Sequence, residues 1–263
     1  MNRIENNGGM SKGLLLIVLA LASLAVVFFI PFVGTIMINF SDIFAQSGES
    51  MNSSVFWQMR IPRVLVGFMA GGLFALCGMV FQALFRNPLV APSTLGVSAG
   101  ASLGAVIYII LGMSFQFLGI SGITYLSFLG AILAIYIVWS FTKGESSISV
   151  SRMLLSGIAV SFIFVSLIMF FQYFSDITQS FQITRWLMGG IFVYGYDSVW
   201  HLLVFTILGL FSIIYFSNEL NLFVTGNDMA ISRGVDVDRV IKILFFLVSV
   251  IIAGVVSICG PIT

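Results

Sequence analysis

Charge is what this sequence lacks most. Only 8% of its 263 residues are Asp, Glu, Lys or Arg, where a soluble domain carries about 25%. A chain this poor in charge cannot cover itself with a hydrated surface, which excludes a soluble enzyme or a water-exposed binding module. No block of Lys and Arg occurs and the net charge is +1, so nucleic acid, which demands clustered cations against phosphates, is excluded as a partner. Histidine is nearly absent: His201 stands alone, and its position suggests an interfacial residue rather than a ligand. Cys77 and Cys259 lie far apart in apolar runs without Cys or His at ligand spacing, so no metal site, no disulfide and no cofactor is expected. Patterns such as HExxH, a nucleophile elbow or a P-loop are missing, and the chain is not expected to be an enzyme. Ionisable residues within the apolar runs, which would mark an ion-coupled carrier, are essentially missing too. Any energy source is therefore expected on another chain.

What the sequence has instead is apolar length. Hydrophobic residues make up 59% of it, arranged in charge-free runs over 13–41, 64–85, 87–142, 153–175, 198–218 and 243–263. The run over 87–142 is too long for one helix and breaks at GMSFQFLGISG (112–122). About 20 residues at 1.5 Å each cross roughly 30 Å of hydrocarbon, and no alternating barrel pattern is present. The expectation is an all-α, polytopic transmembrane helix bundle with seven crossings, in contact with membrane lipid. The first run is longer than the roughly 7–15 residues of a signal-peptide core, which favours a retained first span. Residues 35–59 read as an outer loop with Trp57 as an interface anchor, and 176–197 read as a second irregular region on the same side.

Lys and Arg set the expected orientation. With the N-terminus cytoplasmic, Arg3, Lys12, Arg86, Lys143, Arg152, Arg233, Arg239 and Lys242 fall inside, and Arg60, Arg63 and Arg185 outside. The opposite orientation would violate the bias.

Several stretches stand out against this background. In FRNPLVAPSTLGVSAGASLGA (85–105), Pro88 and Pro92 disfavour helix at Asn87 and Ala91. The chain must therefore leave one span, run extended and start the next near Ser93 or Thr94, either of which could cap it. That is an ordinary cytoplasmic turn or a constriction at the inner end of a pathway. Gly96, Gly100 and Gly104 then share one helix face, as do Gly67, Gly71 and Ala75. Small residues at this spacing let membrane helices approach closely. Arg60 and Arg63, in MRIPR, sit at the outer mouth of the second span, where they either anchor to headgroups or receive carboxylates of an external partner. Residues 219–239, ELNLFVTGNDMAISRGVDVDR, form the longest cytoplasmic connection and read as one or two short amphipathic helices joined at glycine. They are a surface hairpin or a lever seated on an ATPase.

These same residues carry a resemblance. MRIPR, GFMAGGLFALCGMVFQALFRNPLVAPSTLGVSAGA, SRMLLSGIAVS, TRWLMGG and LNLFVTGNDMAISRGVDV are similar, in order and spacing, to the permeases of the iron-siderophore and vitamin B12 class of ABC importers, over nearly all of the chain after Met51. The resemblance implies a ten-helix subunit, of which residues 1–263 form a single permease domain incomplete at its C-terminus. The family pattern continues beyond SICGPIT into three more helices, which would hold a third docking arginine. It also implies a homodimer or a heterodimer with a paralogous permease, two cytoplasmic ATPase subunits and an external, periplasmic binding protein, in a bacterial inner membrane. Position by position, Arg60 and Arg63 match arginines that dock the binding protein. Asn87 and Leu89 match a cytoplasmic gate, and Val150 and Ser151 its second segment before the fifth span. Gly226, Asn227, Asp228, Ala230, Gly234 and Val235 match the coupling helices. Ala91 stands where the family often has an acidic residue, and Thr225, Asn227 and Arg233 depart from its usual coupling segment. The cargo implied is a ferric siderophore. Cobalamin or haem is the alternative, as is a shortened, non-transporting subunit.

Overall fold

In hydrocarbon a backbone amide finds no water, so a chain that crosses must satisfy its own hydrogen bonds, and each apolar run here does so as a helix. The computed structural model describes residues 12–34, 51–88, 90–117, 119–142 and 150–262. The helices are α1 (Lys12–Phe29), α2 (Met51–Val55), α3 (Ile61–Phe85), α4 (Val97–Ile110), α5 (Gly122–Thr142), α6 (Val150–Tyr173), α7 (Ile177–Leu187), α8 (Asp197–Tyr215), α9 (Ser217–Thr225), α10 (Asn227–Ser232) and α11 (Val237–Cys259). One two-residue antiparallel ladder, β1 (Gln116–Phe117) with β2 (Ile120–Ser121), pairs Gln116 with Ser121 across the break at 112–122. The chain is an integral, multi-pass membrane protein. Among the described residues six helical segments are long and apolar enough to cross, and α4 is a shorter apolar helix of 14 residues, about 21 Å long.

The packing follows residue size. Helices α4 and α5 make the most intimate contact in the bundle. A Cβ added at Gly104 would overlap the Leu126 carbonyl, and one at Gly100 or Gly130 would overlap the other glycine's carbonyl oxygen. The glycine face expected from the 96–104 spacing is thus a backbone-to-backbone contact, which only glycine permits. Of the second stripe, Gly71 meets nothing within 4 Å of a built Cβ and Gly67 meets only the Ile191 side chain, at 3.1 Å, so that row is not a backbone-to-backbone seam. Helix α11 runs through the middle and touches α3, α4, α5 and α8, with Leu244, Phe245 and Val256 wholly buried.

Three expectations are corrected. The stretch to residue 59 is not all loop: helix runs from Asn52 to Phe85. Pro62 lacks an amide hydrogen and crowds the preceding turn. The ladder answers by widening to π type over Phe56–Arg60, with the Ile61 amide donating to Phe56 O. The Gln58 carbonyl, which a residue other than proline at 62 would have bonded, instead accepts the Gly195 amide at 2.8 Å.

The 176–197 region holds a helix, α7, started by a capping box in which Asp176 accepts from the Gln179 amide at 2.7 Å and Gln179 reaches back to the Asp176 amide. Gln179 Nε2 also donates to Ile110 O at 3.2 Å, fastening α7 to the end of α4.

The last span starts at Val237, not 243. Asp236 caps it by accepting the Arg239 amide at 3.1 Å. Charges are tolerated in the first turns of a helix that emerges from the apolar layer, so charge-free length underestimates it.

The connectivity sorts the bundle into two ends. One carries the 86–96 turn, the start of α6 and the α9–α10 pair. The other carries the β1–β2 ladder, α7, the start of α8 and the end of α11, where the Gly190 amide donates to Cys259 O at 2.9 Å.

Candidate functional site

The 86–96 turn is built by residues that forbid helix. Arg86 ends α3 in the left-handed region, φ 47 and ψ 38, the only non-glycine residue with positive φ among those described. Asn87, half-buried, follows, and its carbonyl accepts the Val90 amide at 3.3 Å. Gln82 Nε2, one turn back in α3, donates to Pro88 O at 3.3 Å. Ala91 is extended (φ −111, ψ 157), as the residue before Pro92 must be. A 3-10 turn over Pro92–Leu95 then precedes α4. No side chain caps it or α4; Thr94 Oγ1 instead donates to Ala91 O at 2.8 Å, and Gly96, at φ 78, turns the chain into α4. Leu89 lies outside the described residues.

Helix α6 lies against this turn. A Cβ at Gly157 would approach Leu95 Cα and Thr94 O to 2.8 Å. Gly157 is six residues beyond Ser151, about 9 Å along the axis. Val150 and Ser151 therefore lie at the same end as Asn87, but in the first turn of α6 rather than ahead of it. Ser151 is exposed; the Val150 side chain lies outside the described set.

The 219–239 segment is two short helices set at a glycine, as its pattern indicates. Gly226 joins α9 to α10 at φ 140 and ψ 145, a conformation that strains other residues. Buried Leu220 and Phe223 turn α9 onto α3. In α10, Ala230 is fully buried while Met229 and Ile231 are exposed. Gly234 (φ 82) returns the chain, and the Val235 amide donates to Ala230 O at 3.0 Å. The side chains of Asn227 and Asp228 lie outside the described residues. Residues 237–239 belong to α11.

Arg60 and Arg63 are at the other end. Arg63 is exposed. Arg60 is half-buried, and its Nη1 donates to Pro31 O at 3.1 Å while its guanidinium lies against Gly34. That end also holds a cleft of about 790 Å³ lined by Arg185, Trp186, Tyr194, Asp197, His201 and Gly260, among others. Arg185 lies over the Phe192 ring, 4.7 Å from its centroid. Among the described residues no group of three His, Cys, Asp or Glu could hold a metal ion.

One contact went unassigned at the level of sequence: Arg86 Nε donates to Phe223 O at 3.0 Å, joining the turn to α9. A cation placed directly after the last turn of a helix was the available signal, but its partner is 137 residues away and no local pattern could name it.

The family model of the FecCD transport family matches residues 15–263. The chain belongs to the FecCD transport family. An iron(3+)-hydroxamate import system permease of Bacillus subtilis is 27% identical over 262 residues, covering 96% of this chain and 77% of that one. A cobalamin import system permease of Halobacterium salinarum is 32% identical over 208 residues, covering 78% of this chain and 54% of that one. An uncharacterised ABC transporter permease of Bacillus subtilis is 32% identical and covers 82% of this chain. The chain spans 61% of the length of that last relative. In the solved structures, a transporter described as of the metal-chelate ABC type, in an inward-facing conformation, superposes with a TM-score of 0.77 at 26% identity, covering 96% of this chain and 77% of that one.

Proposed function

We propose that this FecCD chain is a permease subunit of an ATP-driven importer that moves an iron chelate of the ferric siderophore kind across a bacterial plasma membrane. The observation that carries the reading is the α9–α10 pair. It stands at the end of the bundle with Val224, Met229 and Ile231 exposed, outside the apolar runs, where a soluble partner can cover them. One of two cytoplasmic ATPase subunits is that partner, and the Gly226 joint lets the pair seat in a groove on it, while the second ATPase receives the same pair of the second permease. The end bearing α9–α10 also carries Arg86, Arg152, Arg233, Arg239 and Lys242, and this excess of cations supports a cytoplasmic position for it and for the N-terminus under the positive-inside rule. Asn87, Leu89, Val150 and Ser151 form the gate at that end, completed by a second permease, identical or paralogous. Arg63, with Arg60 behind it, receives carboxylates of an external binding protein. Covalent chemistry stays on the ATPase chains.

Cobalamin is the second reading, favoured by the relatives named for it. Reconstitution with the ATPase and binding protein, in vesicles offered labelled ferric siderophore and labelled cobalamin separately, decides between them. ATP-dependent uptake of the siderophore alone is expected; uptake of cobalamin alone replaces the first reading with the second. Deleting 225–234 should abolish copurification with the ATPase, and retention would sink the coupling role. Arg60→Glu with Arg63→Glu should remove the stimulation of ATP hydrolysis by the binding protein; unchanged stimulation would show that docking lies elsewhere.

A further inference from the structure

The Arg86–Phe223 contact joins two segments to which the importer reading gives different tasks. Phe223 is in the last turn of α9, where carbonyls have no amide four residues on within the helix. The Gly226 amide donates to Leu222 O, and α10 begins afresh at Asn227, so the Phe223 carbonyl is open to an outside donor. The C-terminal end of a helix also favours a cation. Arg86 supplies both, with Nε–H on the carbonyl at 3.0 Å. The backbone of Arg86 is held left-handed, at φ 47, and Asn87 and Pro88 follow at once. The Phe223 side chain is 1% exposed and fixed in the core, so α9 cannot move without carrying that carbonyl along.

We infer that Arg86 is a positioning residue that ties the 86–92 turn to the end of α9, so that displacement of the α9–α10 pair is delivered to Asn87 through one guanidinium. The inference rests on the importer reading for the meaning of that displacement, but the contact itself can be tested without transport.

The test uses Arg86→Gly, Arg86→Asn and Arg86→Lys in the complete complex. Glycine and asparagine both accept a left-handed backbone, so these variants keep the turn while removing the guanidinium. Lysine keeps the charge but not the Nε–H fork. Hydrogen exchange at residues 223–226 should rise in Arg86→Gly and Arg86→Asn. The ratio of substrate taken up to ATP hydrolysed should fall about five- to tenfold, within the span of ordinary coupling effects, with Arg86→Lys in between. Unchanged exchange overturns the contact. Raised exchange with a wild-type ratio reduces Arg86 to a helix cap and overturns the relay. A wild-type complex that takes up nothing overturns the importer reading, and exchange still decides the contact.

Discussion

Helices α1 and α11 are both apolar enough to cross a bilayer, yet none of the α1 window is buried in the protein and 67% of the α11 window is. Lipid tails are as apolar as leucine, so hydrophobicity drives a helix into the membrane but not onto another helix. What draws α11 inside is shape. Gly254 lies so close to Phe205 that a Cβ there would meet the ring at 2.5 Å, and the small side chains of Ser249, Ala253 and Ser257 are buried in the same helix. Helix α1 offers Leu, Ile, Val and Phe all round and is attached chiefly through the 3-10 turn that follows it (Ile30–Phe32), where Arg60 holds Pro31 O and Phe32 meets Phe56 at 5.4 Å.

The comparison breaks most visibly at Phe245. It is fully buried in α11 and stacks with Trp139 of α5 at 6.2 Å. Phe245→Ala should cost about 3–5 kcal/mol, the range for large aromatic truncations in cores, read as a lowered unfolding temperature in detergent. A loss below about 1 kcal/mol would mean that α11 is not the packed centre.

Next comes Gly104→Ala in α4. The added methyl meets Leu126 backbone rather than a side chain that could turn away. Overpacking of this kind costs about 1–3 kcal/mol, and α4 and α5 should separate measurably, for instance as weakened protection from exchange across 126–130. The control is Gly71→Ala in α3, where a Cβ meets nothing within 4 Å; it should change stability by less than about 0.5 kcal/mol. Equal effects at the two sites would refute the reading that only the first glycine row is a seam.

These glycines also measure what the sequence could convey. The two rows look alike on paper. Charge-free length located the spans but cut the second short at 64 and the last at 243, and the break at 112–122 was readable from its glycines. Which row packs was not, because it depends on the neighbour opposite: Gly100 and Gly104 face α5, whereas Gly71 faces nothing. The same holds for the site. Pro88, Pro92 and Gly226 announce their turns locally, since each constrains its own backbone. The π-widened turn before Pro62 was implicit in proline's missing amide, but the use of the freed Gln58 carbonyl by Gly195 was not. Arg86 to Phe223 is the extreme case, a contact between residues 137 apart that no spacing rule reaches. The helix at 177–187 could have been read, because Asp176 and Gln179 are a capping box three residues apart.

The smallest effect is expected on α1, and it sharpens the comparison by its smallness. Leu16 is 67% exposed in this bundle and as large as the leucines that fix α11. In water such a truncation would remove a hydrophobic contribution, but in a bilayer the leucine gives up lipid contacts rather than protein ones. Leu16→Ala should therefore shift stability by no more than about 0.5 kcal/mol, measured by the same detergent unfolding. A cost approaching that of Phe245→Ala would show that α1 packs on protein at this face, as it would if a second permease lay against it. The lipid-facing assignment would then fail, while the core assignment of α11 would stand.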